Sequence, residues 1–277
     1  PLVVALLGEP LLQVGPAVEV VDHRGLPAPG HQEHVRDTGR GRHLGELERM
    51  QGHYAAALAH AAKAAVSFRD REDARGQVDV GLLQVQLLLD LHADADAARA
   101  LSALGPALAK APSEQQAAAA MLEGQLSARR GDAGAARRHF ADAARRARGS
   151  GVLALQLQVA VHGGGTGELE TQTAILGNVP LRLDWLERTM ARALDGGDTG
   201  GAVAAYRKVQ PLLRAGDYRR AWALHRLAAR ALAAEGRHQE ARVAAAAASR
   251  SWDAVLAQLP AERREAFRRA TTSGTTP

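Results

Sequence analysis

Several short clusters in this 277-residue chain carry residue types that could do chemistry. His31-Gln32-Glu33-His34 places two imidazoles and a carboxylate within four residues. The histidines stand three apart, whereas a helical zinc pair needs four, and no third protein ligand is identifiable, so no metal is expected there. Gly163-Gly164-Gly165-Thr166-Gly167 has the composition of a phosphate-cradling loop. It lacks the Gly-Lys-Ser/Thr ending, and a preceding parallel strand is doubtful, so the expected role is a turn between helices. Arg137, Arg138, Arg145, Arg146 and Arg148 gather basic charge as a phosphate surface would, but Asp142 dilutes them and aromatic stacking partners are scarce. A solvated helix face is expected instead. Serines are few and none sits in a Gly-x-Ser-x-Gly elbow, so no nucleophile, cofactor site or catalytic residue is assigned.

What remains is the framework that would position any functional surface. A phrase recurs along the chain: a turn residue, an alanine five residues on, a small or aromatic residue at nine and a small residue at twelve. Gly52 is followed by Ala57, Ala61 and Ala64, and Gly131 by Ala136, Phe140 and Ala143. Gly197 precedes Ala202, Tyr206 and Val209, and Gly236 precedes Ala241, Ala245 and Ala248. Weaker copies start at Ala93, with Ala98, Ser102 and Gly105, and at Gly165, where Glu170 stands in the first alanine's place and Ala174 follows. Residues at these offsets fall near one stripe of a helix, where small side chains let a partner helix approach. A glycine before that helix ends the preceding one cheaply by taking positive φ. Gly45, Gly124 and Ala229 supply the small residue expected in the first helix of a pair; the aromatic often found before the turn is replaced by Glu48, Ser127 and Leu232.

On these residues the chain resembles the degenerate tetratricopeptide arrays of large bacterial regulators, the kind linked to serine/threonine kinases or to ATP-dependent transcription activators. The resemblance covers roughly Leu44 to Leu259, at a spacing scattered about the ~34-residue repeat of such arrays. It implies an all-α fold, an α-solenoid of about six antiparallel helix hairpins closed by a capping helix. It also implies a non-enzymatic role in binding proteins or relaying state between domains. The string Leu259-Pro260-Ala261-Glu262-Arg263-Arg264-Glu265-Ala266-Phe267 is similar to the tail that closes arrays in those proteins.

Composition agrees. The chain is 46% hydrophobic but only 3% aromatic, so its core must be built mainly from Ala and Leu, both strong helix formers. There is no Cys, which excludes disulfides and thiolate metal sites and suits a reducing cytoplasm. No apolar run reaches the ~18 residues a spanning helix needs, and Leu2–Leu7 lacks the basic leader of a signal peptide. The net charge of +5 comes almost wholly from Arg, since Lys occurs only at 63, 110 and 208. The first residue is Pro1, and the chain is expected to be the C-terminal part of a larger bacterial signalling protein.

Residues 1–42, rich in Pro and His, are expected to be irregular, with a short strand-like piece at Val18–Val21. Residues 43–259 are expected to hold the hairpins, and 260–277 a capping helix, with Pro260 at its first position, and a disordered tail from Thr271. Ser113 and Gln116 have the spacing of a capping box. The segment Val152–Val159 alternates like a strand, but its place in the array favours a helix. Val78–Leu91 is apolar nearly all round and should be sandwiched between neighbours.

Function is then expected on the concave face lined by first helices. Counting from the turns, Arg42, Glu46 and Arg49 face inward, followed by Leu83 and Leu87, Met121 and Gln125, Leu155 and Val159, Glu187, and finally Arg226 and Arg230. The Lys and Asn clamp that this family uses for peptide carboxylates is absent. An apolar middle flanked by Arg suits a protein or peptide partner, such as an amphipathic helix or another domain of the same chain. The alternative is a nucleic-acid-binding helical repeat, favoured by a pI near 10.2. Trp185, Trp222 and Trp252 are expected in the core. No membrane partner is expected.

Overall fold

A computed structural model describes the backbone of residues 29–165, 168–214 and 217–272, and the side chains in that span except 29–39, 262 and 270–272. The strand-like piece at Val18–Val21, the side chains of His31 and His34, and the tail after 272 lie outside the described residues. Contacts divide the chain into residues 1–35 and 36–277, and every side chain discussed below belongs to the second unit.

Among the described residues there are fourteen helices and no strand. In order they are α1 (Pro29–Gln51), α2 (Tyr54–Asp70), α3 (Ala74–Asp90), α4 (Asp94–Ala103), α5 (Gly105–Leu108), α6 (Ser113–Arg129) and α7 (Ala133–Ser150). There follow α8 (Leu153–His162), α9 (Leu169–Ile175), α10 (Val179–Asp195), α11 (Thr199–Arg214), α12 (Ala221–Ala234), α13 (His238–Gln258) and α14 (Ala261–Thr272). Neighbouring helices pack in sequence, with α2 on α3, α6 on α7, α10 on α11 and α12 on α13. The alternating segment at Val152 is helical, within α8. No helix among the described residues is long and apolar enough to cross a membrane.

Three expectations need correction. The irregular segment expected through Arg42 ends earlier, because α1 begins at Pro29; the first half of α1 has no apolar stripe, so nothing in its pattern announces a helix. Ser113 opens α6 but does not cap it; Pro112 holds the cap position and the Gln116 side-chain Nε2 donates to the Ala111 carbonyl at 2.9 Å. Pro260 likewise precedes α14, where its carbonyl accepts from the Arg264 amide.

The turns explain the repeated phrase, and they shift it in two places. Gly52, Gly131, Gly197 and Gly236 all take positive φ, between 74° and 86°. In the two weak copies the left-handed residue comes one position earlier than Ala93 and Gly165: it is His92, at φ 55°, and Gly164, at φ 82°. After each of these six residues, the next amide bonds the carbonyl five back, as His53 to Glu48, Ala93 to Leu88 and Gly165 to Ala160, at 2.8–3.0 Å. That is the Schellman closure of a helix. Counted from the true turns, the residues at plus five are Ala57, Ala97, Ala136, Leu169, Ala202 and Ala241, and every one is buried. The weak copies therefore keep phase through Ala97 with Leu101 and Leu169 with Thr173, all buried, and not through Ala98, Ser102 or Ala174. The last copy follows the phrase only at its start, since Ala245 is exposed and Ala248 half-buried on α13. Asp132 and Asp198 follow their glycines directly and cap the next helices, each accepting an amide at 2.8 Å.

Small residues admit large ones between helices. A Cβ on Gly124 would lie 2.9 Å from the Phe140 ring, and one on Gly76 would lie 2.2 Å from Phe68. The cores run along the chain: one joins α3, α4 and α6, a second α6, α7 and α8, and a third reaches from α8 to α13. The fourth joins helices far apart in sequence. It gathers Tyr54, Ala57 and Phe68 of α2, Leu83 and Leu87 of α3, Trp222 of α12, Leu256 of α13, Leu259, and Phe267 of α14.

Candidate functional site

The residues expected to line one concave face go to different places. Leu83 and Leu87 are buried in the core that holds Trp222, Leu259 and Phe267, so the chain's own C-terminal helices cover them. Met121 and Val159 are buried among Ala117, Ala143 and Ala147, with Leu155 packed at the edge of that cluster. These three fill space between successive helices. Gln125 is half-buried and Arg230 exposed. Arg226 lies over the Trp222 ring at 5.2 Å. Glu187 is buried and receives Arg220. Trp185 and Trp222 are buried, as expected of core residues, whereas Trp252 is half-buried at the edge of its cluster.

The charged members lead to the most elaborate polar feature of the molecule, a network that links α1, α3 and α10 to the segment just before α12. Arg49, near the end of α1, donates to Glu46 Oε1 at 2.7 Å and to Asp90 Oδ2 at 2.8 Å. Asp90 closes α3, and Arg219 Nε stands 3.4 Å from the same oxygen. The Arg219 guanidinium continues to both oxygens of Asp184 on α10, at 2.6 and 2.8 Å. The Tyr218 hydroxyl also donates to Asp184, at 2.6 Å, and Arg220 clasps both oxygens of Glu187. The backbone joins in, because the Arg219 amide donates to the Met50 carbonyl at 2.9 Å. Gly52 is required there: its φ is 86° and a Cβ would sit 3.1 Å from the Arg219 Cα.

Local sequence explains the geometry. Asp184 and Glu187 are three apart on α10 and so share a face, and Arg219 and Arg220 are held together by a turn that Tyr218 and Trp222 anchor in the core. Burial pushes the Asp184 carboxyl up, but Arg219 more than reverses it and leaves it well below the ordinary carboxylate value. Burial also pushes Asp90 up, and Arg219 with Arg49 outweighs that, so it too stays ionised. Two histidines border the network. His162 accepts from Arg188 at 3.1 Å, and burial together with that cation drops it to about 3. His92 is likewise pushed to about 3 by burial, then by Arg129 and Arg220. Both are neutral near pH 7. Carboxylates locked onto guanidiniums and imidazoles held neutral exchange protons poorly at that pH; the arrangement is suited to holding helices in place.

Beside it lies an aromatic box. Phe267 stacks on Trp252 at 4.8 Å and 19°, meets Trp222 edge-on at 6.3 Å, and tilts against His92 at 5.6 Å. Of the network and the box beside it, Glu46, Arg49 and Glu187 are expected from sequence to face inward, whereas Asp90, Asp184, Arg219, Arg220, His92 and Phe267 are not among the expected lining residues. One signal was available: Asp90 is a charge at the end of the apolar run that starts at Val78. No family model, curated protein or solved structure matches the chain.

Proposed function

We propose that the chain is a tetratricopeptide-like α-solenoid of about six helix hairpins that acts as a non-enzymatic protein-interaction or regulatory scaffold, as part of a larger bacterial signalling protein. One observation carries this reading. Six turns with a left-handed residue are each followed, five residues later, by a buried residue, most often alanine. Such spacing supports serial helix pairs that bury their faces mainly against neighbours, an architecture that offers extended binding surfaces, and here the two ends of the series also share a core. The charge distribution favours a protein partner over nucleic acid. In the Arg cluster of α7, Arg145 and Arg146 both bond Asp142, and Arg146 also reaches Gln116.

The discriminating experiment measures binding of the purified chain to single- and double-stranded nucleic acid, and to a partner captured by cross-linking, between about 50 and 200 mM salt. The expected outcome is a captured protein whose affinity changes little with salt. Tight nucleic-acid binding that collapses over that range would replace this reading with the helical-repeat nucleic-acid binder.

A further inference from the structure

Along most of the chain, helices that pack together are joined by a short turn, as α6 is to α7 and α12 to α13. The two ends of the series meet without one. Leu83 and Leu87 of α3 and Tyr54 of α2 share a core with Trp222 of α12, Leu256 of α13 and Phe267 of α14, and only side chains and one backbone bond join the two groups. Parting this seam would leave every helix with its sequence neighbours, because in a serial arrangement each interface contributes its own share of stability.

The polar network is already divided along that seam. On one side Arg49 is held by Glu46 and Asp90, all within α1 and α3. On the other, Arg219 is held by both oxygens of Asp184 and Arg220 by both oxygens of Glu187, within α10 and the turn before α12. Each side keeps these pairs if the two separate, so no charge is left buried alone, which is the loss that makes breaking a buried pair costly. Little polar contact crosses over. The Arg219 amide donates to the Met50 carbonyl at 2.9 Å, and Arg219 Nε approaches Asp90 Oδ2 at 3.4 Å. The second contact is not a hydrogen bond: Arg219 Nε is buried with no hydrogen-bond partner among the described residues, a penalty of the closed seam that water would relieve.

We propose that this seam is a conformational device: the ends of the series part and rejoin as units, α1 to α3 on one side and α10 to α14 on the other. The apolar residues of the shared core keep the closed form the major one, and opening uncovers Leu83 and Leu87. No single hinge is needed, since small rotations at the successive interfaces from α4 to α9 add along a helical series. Under the scaffold reading, closure withholds this face from a partner. The seam is tested without any partner, so its failure would leave that reading standing.

The test uses the full chain. It has no cysteine, so Ala223→Cys and Ala143→Cys each carry a single thiol, buried in the seam core and among α6, α7 and α8 respectively. In native buffer the Ala223→Cys thiol should react with a maleimide at least about tenfold faster than the Ala143→Cys thiol. On the unsubstituted chain, hydrogen exchange of the Arg219 amide, corrected for its intrinsic rate, should likewise outpace the slowest amides of α6 and α7 by at least about tenfold. A thiol at 223 no more reactive than one at 143 would overturn the proposal. So would a fast thiol beside a protected Arg219 amide, which would mean that α14 alone frays. A fast amide beside a protected thiol would overturn it too, by showing that only the turn before α12 loosens.

Discussion

The junction where α1, α2 and α3 meet α10, α12, α13 and α14 differs sharply from the stretch of α8 and α9. At the junction, ionised groups are buried and each carboxylate of the network touches a guanidinium, while large aromatic residues fill the space beside them. In the α8–α9 stretch the helices are short, 10 and 7 residues against 17 and 16 in α10 and α11. Leu153 and Ile175 are 58% and 80% exposed there, and the pair between Lys208 and Glu170 lies at the surface. Both regions obey the same turn spacing, because Gly164 is followed by buried Leu169 and Thr173 just as Gly52 is followed by Ala57 and Ala61. The spacing therefore makes helix pairs, whereas how firmly they are held depends on contacts between residues remote in sequence. A short helix gains little from its own backbone and leans on whatever covers it.

The largest expected effect tests the junction. Asp184→Ala leaves Arg219 buried with half its partners, and loss of one member of a buried pair costs ~3–5 kcal/mol. Urea unfolding should show that loss, while Lys208→Ala at the surface pair should change stability by less than about 0.5 kcal/mol. Equal effects would erase the distinction between the regions.

Overpacking comes next and tests the packing of neighbouring helices. Gly76→Val would force a side chain into the Phe68 ring and Ala136→Trp would wedge α7 from its partner, each costing ~1–3 kcal/mol or more. A melting temperature unchanged in either variant would contradict the helix contacts described.

Acidity should act first on the junction and on the end of α8 that borders it. Between the unfolded histidine value near 6.5 and the folded value of about 3, the unfolded chain binds protons at His92 and His162 that the folded chain refuses. Stability therefore falls as pH drops through that window, by at most about 1.4 kcal/mol per pH unit for each histidine. Asp184 and Asp90, lowered in the folded state, add a further loss below about pH 4 as the unfolded carboxylates protonate first. His162→Gln should flatten the slope between pH 6.5 and 4.5, measured by chemical denaturation at each pH.

The smallest effect concerns backbone strain. Glu72 is exposed yet sits at φ 55°, so Glu72→Gly should be neutral or raise stability by up to about 1 kcal/mol, relief of left-handed strain offset by chain entropy. In the α8–α9 stretch Ile175→Ser should stay within about 0.5 kcal/mol, as its side chain is mostly in water.

Much of the framework was legible along the chain. Gly131-Asp132 and Gly197-Asp198 announce a helix end and the next helix start in two adjacent residues, and Ala57, Ala136 and Ala202 mark the buried stripe that follows. The phase slipped at His92 because a histidine in the left-handed region leaves no glycine to read, and at Gly164 because four glycines cluster between 163 and 167. The candidate face was legible only as a set of helix positions. Leu83 and Leu87 read as inward positions of α3 on a concave face, but nothing local indicates that Phe267, far downstream, covers them.

The division has a simple physical origin. Helix ends, caps and small-residue stripes depend on interactions between residues a few positions apart, so residue order alone determined most of the helix ends after α1 and that neighbouring helices pack. Tertiary structure alone decided that Arg219 joins Asp90 to Asp184 and that Phe267 reaches His92, because those meetings depend on small rotations accumulated over many helices. No short window of sequence encodes that sum.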